Sequence, residues 1–139
     1  MAPYSAPFDD VERQAPSPGE ALGFTANGAI EAGQVVTLTG DQTVGASTTD
    51  GEAVIGVATQ SVADGDEVMV VGGSGRVLVT GGASGISAGD PLTSYGGTGD
   101  DGTVNTASTT GDYVLGYALE SGGAGDTLVA VVDRGGQLN

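Results

Sequence analysis

The chain has 139 residues, of which 27 are glycine and only six are Phe or Tyr, so it can form one domain with a modest aliphatic core. It contains no Cys, His or Lys, which excludes disulfides, thiolate nucleophiles, imidazole bases, Schiff-base chemistry and the usual zinc sites. Its formal net charge is −15, and its three arginines are too few to form a basic patch for nucleic acid. We therefore expect no cofactor, no metal and no nucleic-acid partner.

The acidity of the chain has two explanations. It could give a generally soluble or calcium-rich surface, or it could be an adaptation to molar salt. At about 1 M salt the Debye length falls to about 3 Å, so that repulsion between like charges is screened. The absence of lysine and the two-to-one excess of Asp over Glu favour adaptation to salt. We therefore predict that the protein works in a strongly saline environment.

Residues 1–21 differ in composition from the rest of the chain. They contain four of the five prolines, which favours an extended chain over a packed helix. They also contain two aromatic side chains, which a terminus without a role would not need in a chain so poor in them. We predict an extended N-terminal arm that lies on a partner surface. Its candidate contact residues are Tyr4, Phe8, Asp9, Asp10 and Arg13.

Residues 22–139 have the pattern of one all-β domain. Short runs rich in β-branched residues are separated by Gly, Asp, Asn and Ser about every ten residues, which is typical of an antiparallel barrel or sandwich. No stretch after residue 21 shows a capped helical period. The predicted strands span residues 22–30, 34–40, 53–60, 67–72, 76–81, 91–96, 112–120 and 127–133.

The two halves of this domain repeat each other. The sequence ASTT at residues 46–49 recurs at residues 107–110, and in each half an apolar run and a Gly-Asp step follow at an offset of about 60 residues. Neither half has enough apolar surface to stand alone, so we predict two related β-units that close one barrel. Gly56 and Gly116, inside predicted strands, indicate bulges or sharp barrel corners.

One segment resembles a dinucleotide-binding motif. Residues 77–86, VLVTGGASGI, resemble the strand and glycine turn of a short-chain dehydrogenase. The turn of that family must open a helix, but the Gly and Pro in residues 87–91 would break one. The Tyr-x-x-x-Lys pair of that family is also impossible without lysine. We therefore interpret this segment as structural.

The remaining polar motifs have structural explanations as well. Residues 64–66 and 99–102 resemble fragments of calcium loops, but they lack the spacing and the closing Glu of an EF-hand. We predict surface turns there, with a calcium ion between subunits as the alternative. A glycosidase-like carboxylate pair has no aromatic platform to hold a sugar, so we predict that the protein is not an enzyme. Arg76 and Arg134 should pair with carboxylates in a chain this acidic, either within one subunit or between subunits.

A series of short motifs follows one another along residues 24–131. The motifs are FTA (24–26), AIEAGQVV (29–36), VIGVA (54–58), GDEVMV (65–70), GRV (75–77), ISAGD (86–90), VLGYAL (114–119) and GDTLVAV (125–131). Their order resembles a family of capsid decoration (head-cementing) proteins of tailed phages and haloarchaeal tailed viruses, whose members are often labelled as a domain of unknown function or as recombinase-like. Each motif is structural, so no catalytic residue is carried over from the resemblance.

The resemblance implies a β-barrel decoration protein on the outside of an assembled icosahedral shell of the HK97 type. Such proteins contact the major capsid protein, commonly as homotrimers at local threefold positions, and brace the joints between capsomers. The acidic composition departs from the usual balance of the family and points to a haloarchaeal virus. We expect synthesis in the host cytoplasm without a secretion signal and location on the virion. No segment approaches the 18 apolar residues of a membrane span, so no membrane partner is expected.

Two other functions are compatible with the sequence. A surface protein of the same particle could bind a host glycan or S-layer through residues 96–112, which read as a long, polar, exposed loop. A small carboxylate enzyme would need glycan hydrolysis that is lost when one Asp is changed.

Overall fold

The computed structural model describes residues 21–82, 85–96 and 99–138. These residues form ten β-strands and no helix, which confirms the all-β prediction. The strands are β1 (Ala21–Ala26), β2 (Val35–Gly40), β3 (Thr43–Ala46), β4 (Gly56–Ala58), β5 (Glu67–Val71), β6 (Gly75–Thr80), β7 (Pro91–Tyr95), β8 (Thr103–Thr106), β9 (Tyr113–Ala118) and β10 (Thr127–Gln137).

The strands form two sheets of five, one from each half of the chain. Strands β1 to β5, here called the first unit, close into a barrel in the order β1-β3-β2-β4-β5. Strands β6 to β10, the second unit, form a sheet in the order β6-β10-β9-β7-β8. In the first unit β1 pairs in parallel with β3. At the corresponding place in the second unit, the structure has a single parallel bridge between Gly81 and Val104.

The predicted internal repeat is visible in the pairing of the strands. Val57 pairs with Val71 between β4 and β5, and Tyr117 pairs with Val131 between β9 and β10 at an offset of 60 residues. The prediction that the two repeats close one common barrel is wrong. The first unit closes on itself, because five residue pairs join β1 to β5 within that half.

Two strands were missing from the sequence prediction, β3 and β8, which occupy equivalent places in the two units. Each has only four residues, TVGA and TVNT, so neither makes a conspicuous apolar run. Strand β8 also changes the interpretation of residues 96–112, which are not one long exposed loop. Val104 is fully buried and Ala107 is nearly so, because β8 pairs with β7 along four residues.

Two clusters of buried side chains form the core. The first lies inside the barrel of the first unit, and its residues are Ala26, Ile30, Val36, Val44, Ala58, Val68 and Val70. The second fills the second unit, but it also includes Val35, Val54, Val57 and Val71 from the first unit. The outer face of β2, β4 and β5 is therefore packed against the second unit, and the two units share a continuous core.

Backbone hydrogen bonds also join the two units. Gly102 of the second unit accepts a hydrogen bond from Val35 N at 2.9 Å and donates one to Ser47 O at 2.8 Å. Gly51 of the first unit donates to Ser94 O at 3.0 Å and accepts from Tyr113 N at 3.1 Å. Because each glycine bonds the other unit in both directions, the units are locked in one register.

The two glycines inside β4 and β9 permit close approach of neighbouring strands. A Cβ atom at Gly56 would overlap the carbonyl oxygen of Val71, and one at Gly116 would overlap that of Val131. Backbone contact thus explains both glycines, which the sequence had indicated as bulges or corners.

Candidate interaction surfaces

The arm residues that we predicted as contacts, Tyr4, Phe8, Asp9, Asp10 and Arg13, lie outside the described residues. Within the described ranges, no group of three or more acidic side chains is placed to hold a metal ion. In the same part of the chain, no helix has the length and apolar character needed to cross a bilayer. The surfaces that the structure does describe belong to the two units.

The motifs that resemble calcium loops stabilise turns. The Asp64 carboxylate accepts a hydrogen bond from Gly28 N at 2.7 Å, and Gly65 has a φ of +86° that favours glycine. The carbonyl oxygen of Asp100 accepts bonds from the backbone N–H and the hydroxyl group of Thr103, at 3.1 and 2.7 Å. Both motifs therefore have a structural role in connecting strands.

The segment that resembles a dinucleotide site also has a structural role. Its first half is strand β6, and Ile86 then forms an antiparallel bridge with Gly122. The described residues after β6 lead into β7 at Pro91 and present no helix N-terminus to a phosphate.

The carboxylate of Asp90 lies in a turn and accepts two hydrogen bonds. Its Oδ2 accepts hydrogen bonds from Ser87 N and from the Thr106 hydroxyl, each at 2.9 Å. These two bonds, the backbone bond first, favour the charged form and lower the pKa of Asp90 below its usual value. In the first unit the side chain of Gln34 accepts the equivalent bond from Glu31 N at 2.9 Å. The shared geometry indicates the same turn in each unit.

The two described arginines do not pair with described carboxylates. Arg134 reaches across to the first unit, where its Nε donates to Gly72 O at 2.9 Å and its Nη1 contacts Val54 O at 3.5 Å. Arg76 is exposed on β6, where its backbone is part of the ladder with β10, and its guanidinium group makes no hydrogen bond or ion pair with the described residues. Our expectation of carboxylate partners is therefore not met within the described chain.

An apolar groove runs along the outer face of β6 and β10. Leu78 is 56% exposed and pairs across the strands with the half-buried Val129. Ala32, Gly33, Ala58 and Thr59 of the first unit also line the groove, which has a volume of about 670 Å³ and includes Arg76 in its lining. Apolar side chains beside an arginine suit binding of a protein surface, because Arg and large apolar side chains dominate such contacts.

A second apolar surface lies at one end of the first unit's barrel. Leu22 and Leu38 continue the inward-facing rows of β1 and β2, yet they are 60% and 53% exposed. Strands β1 and β2 run in opposite directions, so the start of β1 and the end of β2 meet at the same end of the barrel. We call Leu22, Phe24 and Leu38 the barrel mouth. The sequence pattern could not reveal it, because alternation assigns these side chains to the core.

Comparisons with known proteins identify a family for this chain and a solved structure with a similar fold. Residues 16–133 match a family model described as phage cement protein. Among solved structures, the chain is similar to the N base of head fiber gp8.5 from bacteriophage phi29, with 24% identity and a TM-score of 0.63. That match covers 86% of this chain and 98% of the phage chain, and at this identity it shows the fold. No curated protein matches the chain.

Proposed function

Because the chain belongs to the phage cement protein family, a family of capsid-associated structural proteins, we propose that it binds the outside of an assembled icosahedral capsid of the HK97 type and stabilises the joints between capsomers. The family match over residues 16–133 is the observation that carries this proposal. The described surface supports it, because the polar motifs that resembled chemistry all stabilise turns and the groove at Leu78 offers apolar contact area. The partner is the major capsid protein.

The proposal includes a homotrimer that is held to the shell by several weak contacts. One subunit alone would bind weakly, but linked subunits raise the effective concentration of each other's contacts. The arm at residues 1–21 provides one contact through Tyr4 and Phe8, with Asp9, Asp10 and Arg13 as its charged residues. The groove at Leu78 provides another, and Arg76 in its lining would receive a carboxylate of the shell.

The host in this proposal is a salt-loving archaeon. The net charge of −15 without any lysine supports it, because many copies with this charge must lie side by side on one shell. Molar salt would screen the repulsion between them.

The test is co-sedimentation of the purified protein with empty capsids that lack it, in molar salt. We expect the wild type to sediment with the capsids and the capsids to resist heating better. The double variant Tyr4→Ala, Phe8→Ala and the single variant Leu78→Asp should each lower the bound fraction at least threefold. Ser5→Ala with Ser17→Ala, in the same arm, is the matched control and should bind like the wild type.

The possible results separate the proposal from its alternatives. Wild-type protein that ignores capsids at all salt concentrations would overturn it. Binding of such protein to host cells would favour the glycan or S-layer function instead, although β8 removes much of the exposed loop on which that function depended. Unchanged binding by the arm variant would overturn the role of the arm alone.

A further inference from the structure

We propose that copies of this chain associate head to tail, with the barrel mouth of one copy covering the outer wall of the next copy's second unit. The wall consists of Pro91, Tyr117 and Val131, which lie side by side on β7, β9 and β10. This inference rests on the homo-oligomer of the proposed function and names the two surfaces that form it.

The contact between the two units inside one chain is the pattern for the proposed contact between copies. There, the end of the second unit that includes Val77 and Ser94 is covered by the first unit, and these two residues are only 8% and 1% exposed. The covering surface is the row formed by Val35, Val57 and Val71, which pair with one another across β2, β4 and β5. All three valines are buried in the shared core.

Strand register identifies the counterpart of each surface in the other unit. Leu22 pairs with Val70 in the first unit, and Val77 pairs with Ala130 in the second unit. Because Ala130 lies 60 residues after Val70, Val77 is the equivalent of Leu22. Leu38 pairs with Val44 and is equivalent to Ser94, which pairs with Val104. The barrel mouth of the first unit is therefore the counterpart of the covered end of the second unit. No described residue covers it.

The wall is the counterpart of the covering valine row. In the second unit, Tyr117 pairs with Pro91 on one side and with Val131 on the other. In the first unit, Val57 pairs in the same way with Val35 and with Val71. In the second unit this row faces outward, and Tyr117 is 38% exposed. One chain thus presents both halves of a contact that it already makes once internally. Within one chain the barrel mouth cannot reach the wall. In an assembly, the mouth of one copy can cover the wall of the next copy.

The side chains at the open positions support a second copy as the occupant. At the barrel mouth, Leu38 stands where the covered unit has Ser94, and on the wall Tyr117 stands where the buried row has Val57. A surface that faces only solvent would favour polar side chains at these positions. The chain instead has larger apolar side chains there, as expected for contacts that become buried on association.

The C-terminal end of β10 limits the geometry of this contact. Gly111 donates to Leu138 O at 2.8 Å, in the same way that Gly51 donates to Ser94 O at 3.0 Å between the units. Leu138, directly after β10, thus takes the place beside Gly111 that Ser94 takes beside Gly51, which leaves Pro91, Tyr117 and Val131 as the contact for the second copy. Because the two surfaces differ, the contact is heterologous, and it closes into a ring when the rotation between copies allows. Three copies would place six units around such a ring.

Complementation between variants tests this arrangement. A mouth variant carries Leu22→Asp with Leu38→Asp, and a wall variant carries Tyr117→Asp. Light scattering in molar salt should show an oligomer for the wild type and a monomer for each variant. An equimolar mixture of the two variants should form heterodimers and nothing larger, because each copy keeps one intact surface. The controls Ala63→Asp and Ala124→Asp, in exposed turns of the two units, should remain oligomeric.

A cross-linking measurement keeps the inference testable if the aspartate variants fail to fold. The chain contains no cysteine, so Leu22→Cys and Tyr117→Cys each introduce a single thiol. A short bis-maleimide should cross-link dimers in a mixture of the two variants and not in either variant alone. A monomeric wild type, oligomeric mouth or wall variants, or cross-linking as readily within a single variant would overturn the inference. A monomer that still sediments with capsids would overturn the head-to-tail contact and leave capsid binding intact.

Discussion

At the scale of single residues, Ser47 and Ser94 form a natural pair for comparison. Both hydroxyl groups are buried where the two units meet, but Ser47 Oγ has no hydrogen-bond partner among the described residues. Ser94 Oγ donates to Thr49 O at 2.8 Å and accepts from Glu52 N at 3.1 Å. The structure shifts the ASTT match of the sequence by one residue: Ser47 N bonds Val35 O as Ala107 N bonds Pro91 O, so Ala107 is the equivalent of Ser47 and the repeat accepts a methyl group there.

We predict that Ser47→Ala stabilises the protein by about 1 kcal/mol, because it removes a buried polar group without a partner. Ser94→Ala should destabilise it by about 1–3 kcal/mol, because it leaves the backbone groups of Thr49 and Glu52 unpaired. Chemical denaturation in molar salt measures both changes. Equal losses for the two variants would show that Ser47 Oγ has a partner in solution.

The carboxylate of Asp90 should make the free energy of unfolding depend on pH. Its pKa is lowered in the folded protein by the bonds from Ser87 N and Thr106, so folding favours the charged form. The stabilisation is therefore complete above the pKa of an unfolded aspartate and is lost as the pH falls through the lower, folded value. We predict that Asp90→Ala is less stable than the wild type at neutral pH and that the difference shrinks as the pH falls below the pKa of an unfolded aspartate and through the lower, folded value. A constant difference from pH 7 to pH 2 would contradict this cause.

At the scale of strands, the sequence predicted eight of the ten strands and the repeat between the halves. It missed β3 and β8, because four residues with a glycine or an asparagine do not make an apolar run. It also misplaced the closure of the sheets, because the pairing of β1 with β5 spans about half of the described chain and leaves no local signal. Of the candidate sites, the exposed side chains of Leu22 and Leu38 could not be recognised, since their alternation is that of core residues.

Arg134 connects the end of β10 to the first unit, so its removal should lower the free energy of unfolding. We expect Arg134→Ala to destabilise the protein by about 1 kcal/mol, because it removes charge-assisted bonds to Gly72 O and Val54 O from an exposed side chain. The matched control is Arg76→Ala, which removes an exposed arginine without a described partner and should change stability by less than about 0.5 kcal/mol. Urea denaturation of the isolated protein compares them. Equal effects would show that Arg134 acts only through net charge.

At the scale of the whole molecule, the shared core predicts that the two similar units unfold together and not as separate domains. The first unit contributes four valines to the core of the second, and two glycines exchange backbone bonds with the opposite unit. Unfolding of either unit would expose the apolar surface of the other. A single cooperative transition is therefore the expected behaviour of the chain, in spite of its two sheets.

The net charge of −15 should make the assembled coat depend on the salt concentration. Neighbouring copies on a shell repel each other, and the range of this repulsion grows from about 3 Å at 1 M salt to about 30 Å at 0.01 M. We predict that dilution from molar salt to tens of millimolar releases the protein from capsids, measured as the fraction left in the supernatant after sedimentation. Sucrose at matched osmolality controls for osmotic shock. A triple variant with Asp41→Asn, Asp101→Asn and Asp133→Asn, all at exposed positions, should stay bound at lower salt than the wild type. A coat that remains fully bound at tens of millimolar salt would show that short-range contacts outweigh the repulsion and that the acidity has another cause.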